Sequence, residues 1–185
     1  MLSKIEKPIN IITGGPGFGK SALIEELRSR GYLCCNEFAR DLIRQQLATN
    51  GELLPWKDAK GFQQEILRLR LAFFDSVPEG VTAFADRGIP DQLAFARYRG
   101  FTPSPDLAEQ ASRYRYASTV WVTPPWPEIY VNDPIRQETF EEAILIHQAV
   151  MKTFSALDYQ MIELPLVAVK ERADFICQTL QNNRL

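Results

Sequence analysis

The chain has 185 residues, 45% of them hydrophobic, which is enough for one domain with a substantial core, so we expect a single domain over residues 1–185. A formal net charge of −2 offers no overall attraction to nucleic acid, and no nucleic-acid partner is expected. The absence of an apolar run of about 18 residues argues against membrane insertion, and three cysteines without metal-binding spacing favour a reducing, cytoplasmic setting.

Short β-branched runs alternate along the chain with longer segments of helical periodicity. This alternation is typical of βαβ units and predicts an α/β fold in which helices flank a parallel sheet. The predicted strands are Ile9–Thr13, Tyr32–Cys35, Val81–Ala85, Thr119–Val122 and Gln160–Leu164.

The first strand leads into four glycines within six residues, followed by a helical pattern. Gly14, Gly19, Lys20 and Ser21 satisfy the phosphate-loop spacing G-x-x-x-x-G-K-[ST] between a strand and a helix. Bare backbone N–H groups and a helix N-terminus can hold the phosphates of a nucleoside triphosphate, which we take to be ATP. The predicted nucleotide-binding residues are Gly15, Pro16, Gly17, Phe18, Gly19, Lys20, Ser21 and Ala22.

Within this loop, the Lys20 ammonium is expected at the β- and γ-phosphates, and the Ser21 hydroxyl at Mg²⁺. The dinucleotide pattern G-x-G-x-x-G does not fit, because Lys20 or Ala22 would have to be glycine. The alternative is a glycine-rich turn that binds nothing.

Glu37 and Arg40 follow the second strand and lie one helical turn apart. Because parallel strands end at one edge of a sheet, Glu37 should face the γ-phosphate, where it could accept a proton from a substrate hydroxyl. Arg40, together with Arg87, would bind substrate anions. Alternatively, Asn36 is an N-cap and Glu37 only an acidic residue in the first helical turn.

Between the second and third strands, Thr49–Asp58 is predicted to be a loop, followed by a helix with a buried face. Trp56 in this loop could stack on a substrate ring or be an ordinary, partly buried aromatic. The buried face of the helix is predicted at positions with helical spacing: Phe62, Ile66, Leu69 and Phe73.

Asp86 ends the third apolar run, where a parallel sheet opens its ligand crevice. Its carboxylate is predicted to hold Mg²⁺, directly or through water. The alternative is an acid at the start of a helix that contains Pro90 and Asp91. Since Arg87 follows Asp86, the acidic pair that activates water in many P-loop ATPases is missing, and fast hydrolysis is not the expected task.

The segment Thr123–Pro134 after the fourth strand is rich in proline and is predicted to be a loop, with a lid over about residues 124–138. Arg136 in this lid could stabilise charge on a transferred phosphoryl group, or could be a surface arginine paired with Glu138.

The next helix carries an apolar face in which His147 is predicted to be packed rather than catalytic: Phe140, Ile144, His147, Met151 and Phe154. Arg113 and Arg115 are predicted to be helix-end cations outside the site, and Cys34 and Cys35 to be small core residues.

The chain resembles the small AAA-type predicted ATPases, which are similar to the kinase module of bifunctional nicotinamide riboside enzymes and to nucleoside and nucleotide monophosphate kinases. The motifs that carry the resemblance are IITGGPGFGKSALIEEL, NEFARDLI, GELLPW, FADRGIPDQLAFAR, NDPIRQETFEEAILIH and IELP with VKERADFI.

The resemblance implies a three-layer P-loop NTPase fold, a five-stranded parallel sheet of order 2-3-1-4-5, and a lid after the fourth strand. It assigns phosphate and Mg²⁺ roles to Lys20 and Ser21, relates Asp86 and Arg87 to an Asp-Arg motif, and matches Glu37 and Arg136 to an acidic residue and a lid arginine of such kinases.

Two functions remain open at this stage. The first is a small-molecule kinase that transfers the ATP γ-phosphate to a hydroxyl acceptor, nucleoside-like or of another kind. The second is an ATPase or a regulatory nucleotide-dependent switch with a protein partner. The loop around Pro165 and Leu166, after the fifth strand, is where such folds often place the nucleobase.

Overall fold

A central parallel sheet organises the structure, a computed structural model that describes residues 3–131 and 138–182. The strands are β1 (Ile5–Glu6), β2 (Ile9–Gly14), β3 (Leu33–Cys35), β4 (Ala83–Asp86), β5 (Tyr114–Arg115), β6 (Thr119–Thr123) and β7 (Gln160–Glu163). The α-helices are α1 (Lys20–Ser29), α2 (Phe38–Ala48), α3 (Ala59–Ser76), α4 (Ile89–Tyr98), α5 (Pro105–Arg113), α6 (Phe140–Ala156) and α7 (Val169–Asn182), and Pro127–Ile129 forms a 3₁₀ turn.

The five long strands are all parallel and lie in the order β3-β4-β2-β6-β7. Counting only the five strands predicted from the sequence, this is the order 2-3-1-4-5, so the predicted fold class is confirmed. Strands β1 and β5 form a separate two-stranded parallel sheet that was not predicted. Each contributes two residues, which is too short for a periodic sequence signal.

Both faces of the sheet are covered by helices, which makes three layers. Strand β2 is buried throughout, and its alternation divides its side chains between the two faces. Ile9 and Ile11 join the larger core cluster, to which α3, α4, α5 and α6 contribute. Ile12 joins a second cluster formed with α1 and α7. The two polar side chains of this central strand, Asn10 and Thr13, are also buried, and each is hydrogen-bonded, to Trp121 and to Asp91 respectively.

The two predicted helix faces are partly correct. On α3, Phe62 and Ile66 are buried, but Leu69 and Phe73 are only half-buried. The reason is that the first half of α3 packs on α2, whereas Leu67 and Phe74 face the main core, so the buried face turns along the helix. On α6 the buried face includes Ala143, Ile146 and Val150, each of which directly precedes a predicted position.

The carboxyl ends of β2, β3, β4 and β6 share one edge of the sheet, which places the residues after these strands close together. Gly14 ends β2, Asp86 ends β4, and Glu37 comes two residues after β3. Among the described residues, no helix is long and apolar enough to cross a membrane.

Candidate active site

The glycine-rich loop between β2 and α1 has a conformation that requires glycine. Gly17 and Gly19 have φ of 83° and 80°, which side-chain-bearing residues rarely adopt. A Cβ added to Gly17 would lie 2.5 Å from the ring of Tyr130. Helix α1 begins at Lys20 without a side-chain cap, so the N–H groups of its first turn remain available to an anion. The loop therefore fits the phosphate tail of a nucleotide.

Phe18 differs from its neighbours in this loop because its side chain is buried. The ring packs against Tyr130, Phe140 and His147, with ring centroids 5.8 to 6.3 Å apart. Only the backbone of Phe18 is therefore placed to contact a nucleotide, while its side chain anchors the loop to α6.

Lys20 is buried beneath the loop, and its Nζ donates to the carbonyl oxygens of Gly15 at 2.6 Å and Gly14 at 3.3 Å. Burial, and secondarily the charge of Arg87, lowers the pKa of Lys20 to about 7, although nearby carboxylates act in the opposite direction. An anion bound in the loop would therefore favour the charged ammonium.

Ser21 and Asp86 meet directly across the site. The Ser21 hydroxyl donates to Oδ2 of Asp86 at 3.0 Å, and Asp86 is 1% exposed. Its other oxygen, Oδ1, has no hydrogen-bond partner within the described ranges. Burial, followed by the charge of Glu37, raises the pKa of Asp86 to about 6. A hydroxyl and a buried carboxylate with a free oxygen are suitable Mg²⁺ ligands.

The alternative reading of Asp86 as a helix-start acid does not hold. Helix α4 begins at Ile89, and its preceding residue Gly88 donates its N–H to Oδ2 of Asp91 at 2.8 Å. Asp91, with Pro90 in the first turn, therefore fills the helix-start role, while Asp86 faces Ser21.

Glu37 lies at the start of α2 and is paired with Arg87. Nε of Arg87 donates to Oε1 of Glu37 at 3.1 Å, and the Glu37 side chain is 19% exposed. Burial alone would raise the pKa of Glu37, but the charges of Arg87, Lys20 and Arg40 outweigh it, and the pKa is lowered. Asn36 is not the N-cap; its side chain accepts from Nη2 of Arg28 at 2.6 Å. Glu37 is thus a fixed carboxylate that keeps some access to solvent.

Arg87 is placed differently from the expected substrate contact, because its side chain is 2% exposed. Its backbone has a φ of 71°, and its Nη1 donates to the Gly14 carbonyl at 3.0 Å and to Oδ1 of Asp91 at 3.3 Å. Asp91 also accepts from the Thr13 hydroxyl. The guanidinium therefore holds the phosphate loop, Glu37 and α4 together as a buried positioning group.

A cavity of about 160 Å³ between α1 and α2 brings four of the predicted site residues together. Its lining includes Ser21, Glu37, Arg40 and Asp86. The proposed metal ligands and the proposed proton acceptor thus open into one space, with Arg40 on its α2 side.

Arg136 lies outside the described residues, which exclude 132–137. The residues at either end of that segment are close together, because the Tyr130 hydroxyl donates to the Glu138 carbonyl at 2.6 Å. The Glu138 carboxylate accepts from Nη2 of Arg99 at 3.2 Å. The base of the predicted lid therefore rests on Phe18 and α6, through Tyr130.

Other residues singled out in the sequence lie outside this site. Burial and the charges of Lys20 and Arg87 lower the pKa of His147 to about 4, which suits a packed, neutral imidazole. Trp56 is 63% exposed rather than partly buried. Arg113 ends α5 as predicted. Arg115 instead lies in β5, with its guanidinium carbon 4.0 Å from the centroid of the Tyr159 ring.

The cysteines within the described residues are free thiols. Burial raises the pKa of Cys34 to about 11 and that of Cys35 to about 12, in keeping with inert core or near-core positions.

Sequence reasoning missed a buried polar cluster behind Glu37. Arg70 on α3 and Gln92 on α4 are buried, and Nη1 of Arg70 donates to Oε1 of Gln92 at 3.3 Å. One signal was available: Arg70 lies four residues after Ile66, in line with the buried face of α3.

The sheet order, phosphate loop and Ser21–Asp86 pair define a P-loop NTPase fold of the kinase-like class. A family model described as an AAA domain matches residues 10–172, and the chain belongs to this family. No curated protein matches the chain in sequence.

Solved structures, two of them kinases, share the fold at low sequence identity. Deoxyadenosine kinase from M. mycoides with bound dATP has a TM-score of 0.66 and 14% identity, with 94% of this chain and 99% of that chain covered. Shikimate kinase from Acinetobacter baumannii in complex with shikimate has a TM-score of 0.60 and 15% identity, with 98% of this chain and 96% of that chain covered. NadR protein in complex with NR has a TM-score of 0.63 and 17% identity; 95% of this chain matches, spanning 50% of NadR.

Proposed function

We propose that the protein is an ATP-dependent kinase that transfers the γ-phosphate to a hydroxyl group of a small molecule. The observation that carries the proposal is the shared cavity: Ser21 and Asp86 meet at 3.0 Å, and Glu37 opens into the same space. The kinase neighbours, one with bound dATP and one with shikimate, support a nucleotide and a small acceptor as ligands.

The nucleotide would lie along the glycine-rich loop, with its phosphates on the backbone N–H groups between Gly15 and Ala22, to which Pro16 contributes no donor. Lys20 would hold the β- and γ-phosphates, and Ser21 and Asp86 would hold Mg²⁺. Bound there, Mg²⁺ supplies positive charge that offsets the charge on the phosphate oxygens. The loop containing Pro165 and Leu166 is the proposed resting place of the base, and the side chain of Leu166 is exposed there.

Glu37 would act on the acceptor hydroxyl. The hydroxyl oxygen forms a bond to the γ-phosphorus, the bond from that phosphorus to the β–γ bridging oxygen breaks, and ADP leaves. The hydroxyl proton passes to Glu37, which Arg87 holds in position and keeps ionised before transfer. Arg40 would contact the acceptor from the α2 side.

A lid over about residues 124–138 would close the site within a single domain of residues 1–185. Arg136 is proposed to reach the transferred phosphoryl group when the lid closes. The contacts of Tyr130 with Glu138 and Phe18 support this, because they connect the base of the lid to the phosphate loop.

Glu37→Gln tests the proposal. ATP binding should persist, because the substitution leaves the phosphate loop unchanged, while acceptor-dependent ADP release should fall by about 10²- to 10⁴-fold. Binding is measured as ATP-dependent thermal stabilisation, and turnover as ADP release with a panel of hydroxyl compounds.

Glu25→Gln is the matched control, because Glu25 lines the same cavity but pairs with Arg28 at the surface. Full turnover in Glu37→Gln would reject Glu37 as the proton acceptor. ADP release by the wild-type protein that no acceptor increases would favour the ATPase or switch instead.

A further inference from the structure

Arg70 is a buried cation whose hydrogen-bonding capacity is largely unused. It is 5% exposed, and within residues 3–131 and 138–182 its one hydrogen bond goes to the side-chain oxygen of Gln92 at 3.3 Å. Its Nε has no hydrogen-bond partner there. A guanidinium carries five N–H donors, and leaving them buried without acceptors is unfavourable.

Asp91, the carboxylate whose charge acts most strongly on Arg70, already has other partners. Both oxygens of Asp91 are occupied, Oδ1 by Thr13 and Arg87 and Oδ2 by the Gly88 N–H. The pKa of Arg70 is lowered mainly by burial, which outweighs the opposing charge of Asp91. Among the described residues, therefore, no carboxylate forms an ion pair with Arg70.

The guanidinium is close to the proposed transfer site. Gln92, its hydrogen-bond partner, follows Asp91 on α4, and Asp91 is bonded to the arginine that holds Glu37. From the other side, Phe38, the residue after Glu37, packs against Phe73 of α3 with ring centroids 6.4 Å apart. Arg70 is one helical turn before Phe73, so α3 presents it beside the start of α2.

A chain of hydrogen bonds connects this buried cation to an exposed residue. Gln63 is exposed, and Nε2 of Gln92 donates to its backbone oxygen at 2.7 Å and to its side-chain oxygen at 2.8 Å. Gln92 in turn accepts from Arg70. Two amide side chains therefore separate solvent from a guanidinium that can bind an oxyanion through two parallel hydrogen bonds, and an anion would reach it by displacing them.

We propose that the hydroxyl acceptor also carries an oxyanion, a carboxylate or a phosphate, and that Arg70 binds it in place of the Gln63 and Gln92 side chains that now cover the guanidinium. This rests on the proposed function, since it identifies the chemical class of the acceptor. The hydroxyl would face Glu37 while the anion is held on the α3 side. Arg70 is then a specificity-determining residue, and the folded protein retains an unfavourable buried charge until the acceptor binds.

Thermal unfolding of the full-length wild-type protein, Arg70→Met and Arg68→Met tests this. Met has a similar length to the buried arginine stem without its charge, and Arg68 is the matched control, on the same helix with a 64% exposed side chain. Without ligand, Arg70→Met should raise the Tm by about 2–4 °C, because an unpaired buried charge is removed. A Tm lowered by about 5 °C or more would show a structural arginine and overturn the proposal.

The second arm measures anion binding with the phosphate loop already filled by saturating AMP-PNP and Mg²⁺. Sodium acetate and sodium sulfate are compared with sodium chloride at equal ionic strength. The wild-type protein and Arg68→Met should gain more Tm than Arg70→Met in acetate, in sulfate or in both, because the general stabilisation by these salts is shared by all three proteins. A response to acetate identifies the carboxylate class, and a response to sulfate the phosphate class. Equal behaviour of the three proteins would overturn the proposal.

Failure of the proposed function is seen separately. If AMP-PNP and Mg²⁺ stabilise none of the proteins, nucleotide binding is wrong, while the ligand-free comparison still decides whether Arg70 is a structural residue.

Discussion

Asp86→Asn should make the metal-free protein more stable at neutral pH. The folded protein raises the pKa of this carboxyl from its ordinary 3.8 to about 6, mainly through burial. An acid with a raised pKa holds its proton more tightly when folded, so stability falls as the pH rises from about 4 to about 6. The difference corresponds to about 3 kcal/mol of unfavourable free energy for the ionised carboxyl above pH 7. Asparagine does not ionise, so the variant does not carry this unfavourable free energy.

Urea unfolding in the presence of EDTA measures this free energy at several pH values. The gain of Asp86→Asn over the wild-type protein should be below about 1 kcal/mol near pH 4 and approach about 3 kcal/mol above pH 7. In the same variant Mg²⁺ should no longer enhance stabilisation by ATP, because a carboxylate ligand is gone. Asp75→Asn, at an exposed position of α3, is the control and should show neither effect.

Two outcomes would refute the reasoning. If the variant is less stable than the wild-type protein at pH 7.5, the Asp86 charge is compensated by Lys20 and Arg87, and burial does not dominate. If the Mg²⁺ enhancement survives, the metal is not held by Asp86, and the assignment of the Ser21–Asp86 pair as its ligands is wrong.

Two further predictions concern Lys20 and His147. Lys20→Ala should abolish most of the stabilisation by ATP, which at 100 times the Kd amounts to about 2.7 kcal/mol in the unmodified protein; unchanged thermal protection would reject the phosphate-loop assignment. His147→Gln should reduce the loss of Tm between about pH 6.5 and pH 4. The pKa of His147 is lowered to about 4 in the folded protein, so the imidazole takes up a proton more readily in the unfolded chain, and the folded state loses stability as the pH falls. A Tm profile against pH that is identical in wild type and His147→Gln would contradict this.

The sequence by itself was enough to predict the phosphate loop and the acidic residue that faces it, Asp86. It also predicted the sheet order, through the family resemblance. The phosphate-loop spacing and an acidic residue at the end of an apolar run are local patterns, and parallel strands bring their carboxyl ends to one edge. For that reason the proximity of Ser21 and Asp86 could be anticipated although they are 65 residues apart.

Only the tertiary structure decided what surrounds Glu37. Arg87 follows Asp86 in the chain, and the sequence suggested that it faces a substrate; in the fold its positive φ turns it inward to Gly14, Glu37 and Asp91. Asp91 has the sequence context of a helix start, and it does have that role, but its contact with Thr13 depends on a strand that is 78 residues away in sequence.

Arg70 shows the same division most clearly. Its position on the buried face of α3 follows from helical periodicity, but whether a buried arginine is neutralised depends on which carboxylates other elements bring to it. Local patterns in a sequence determine which elements form and which residues end them. The partners of a buried charge are set by packing between α3, α4 and the start of α2, and these contacts exist only after the chain has folded.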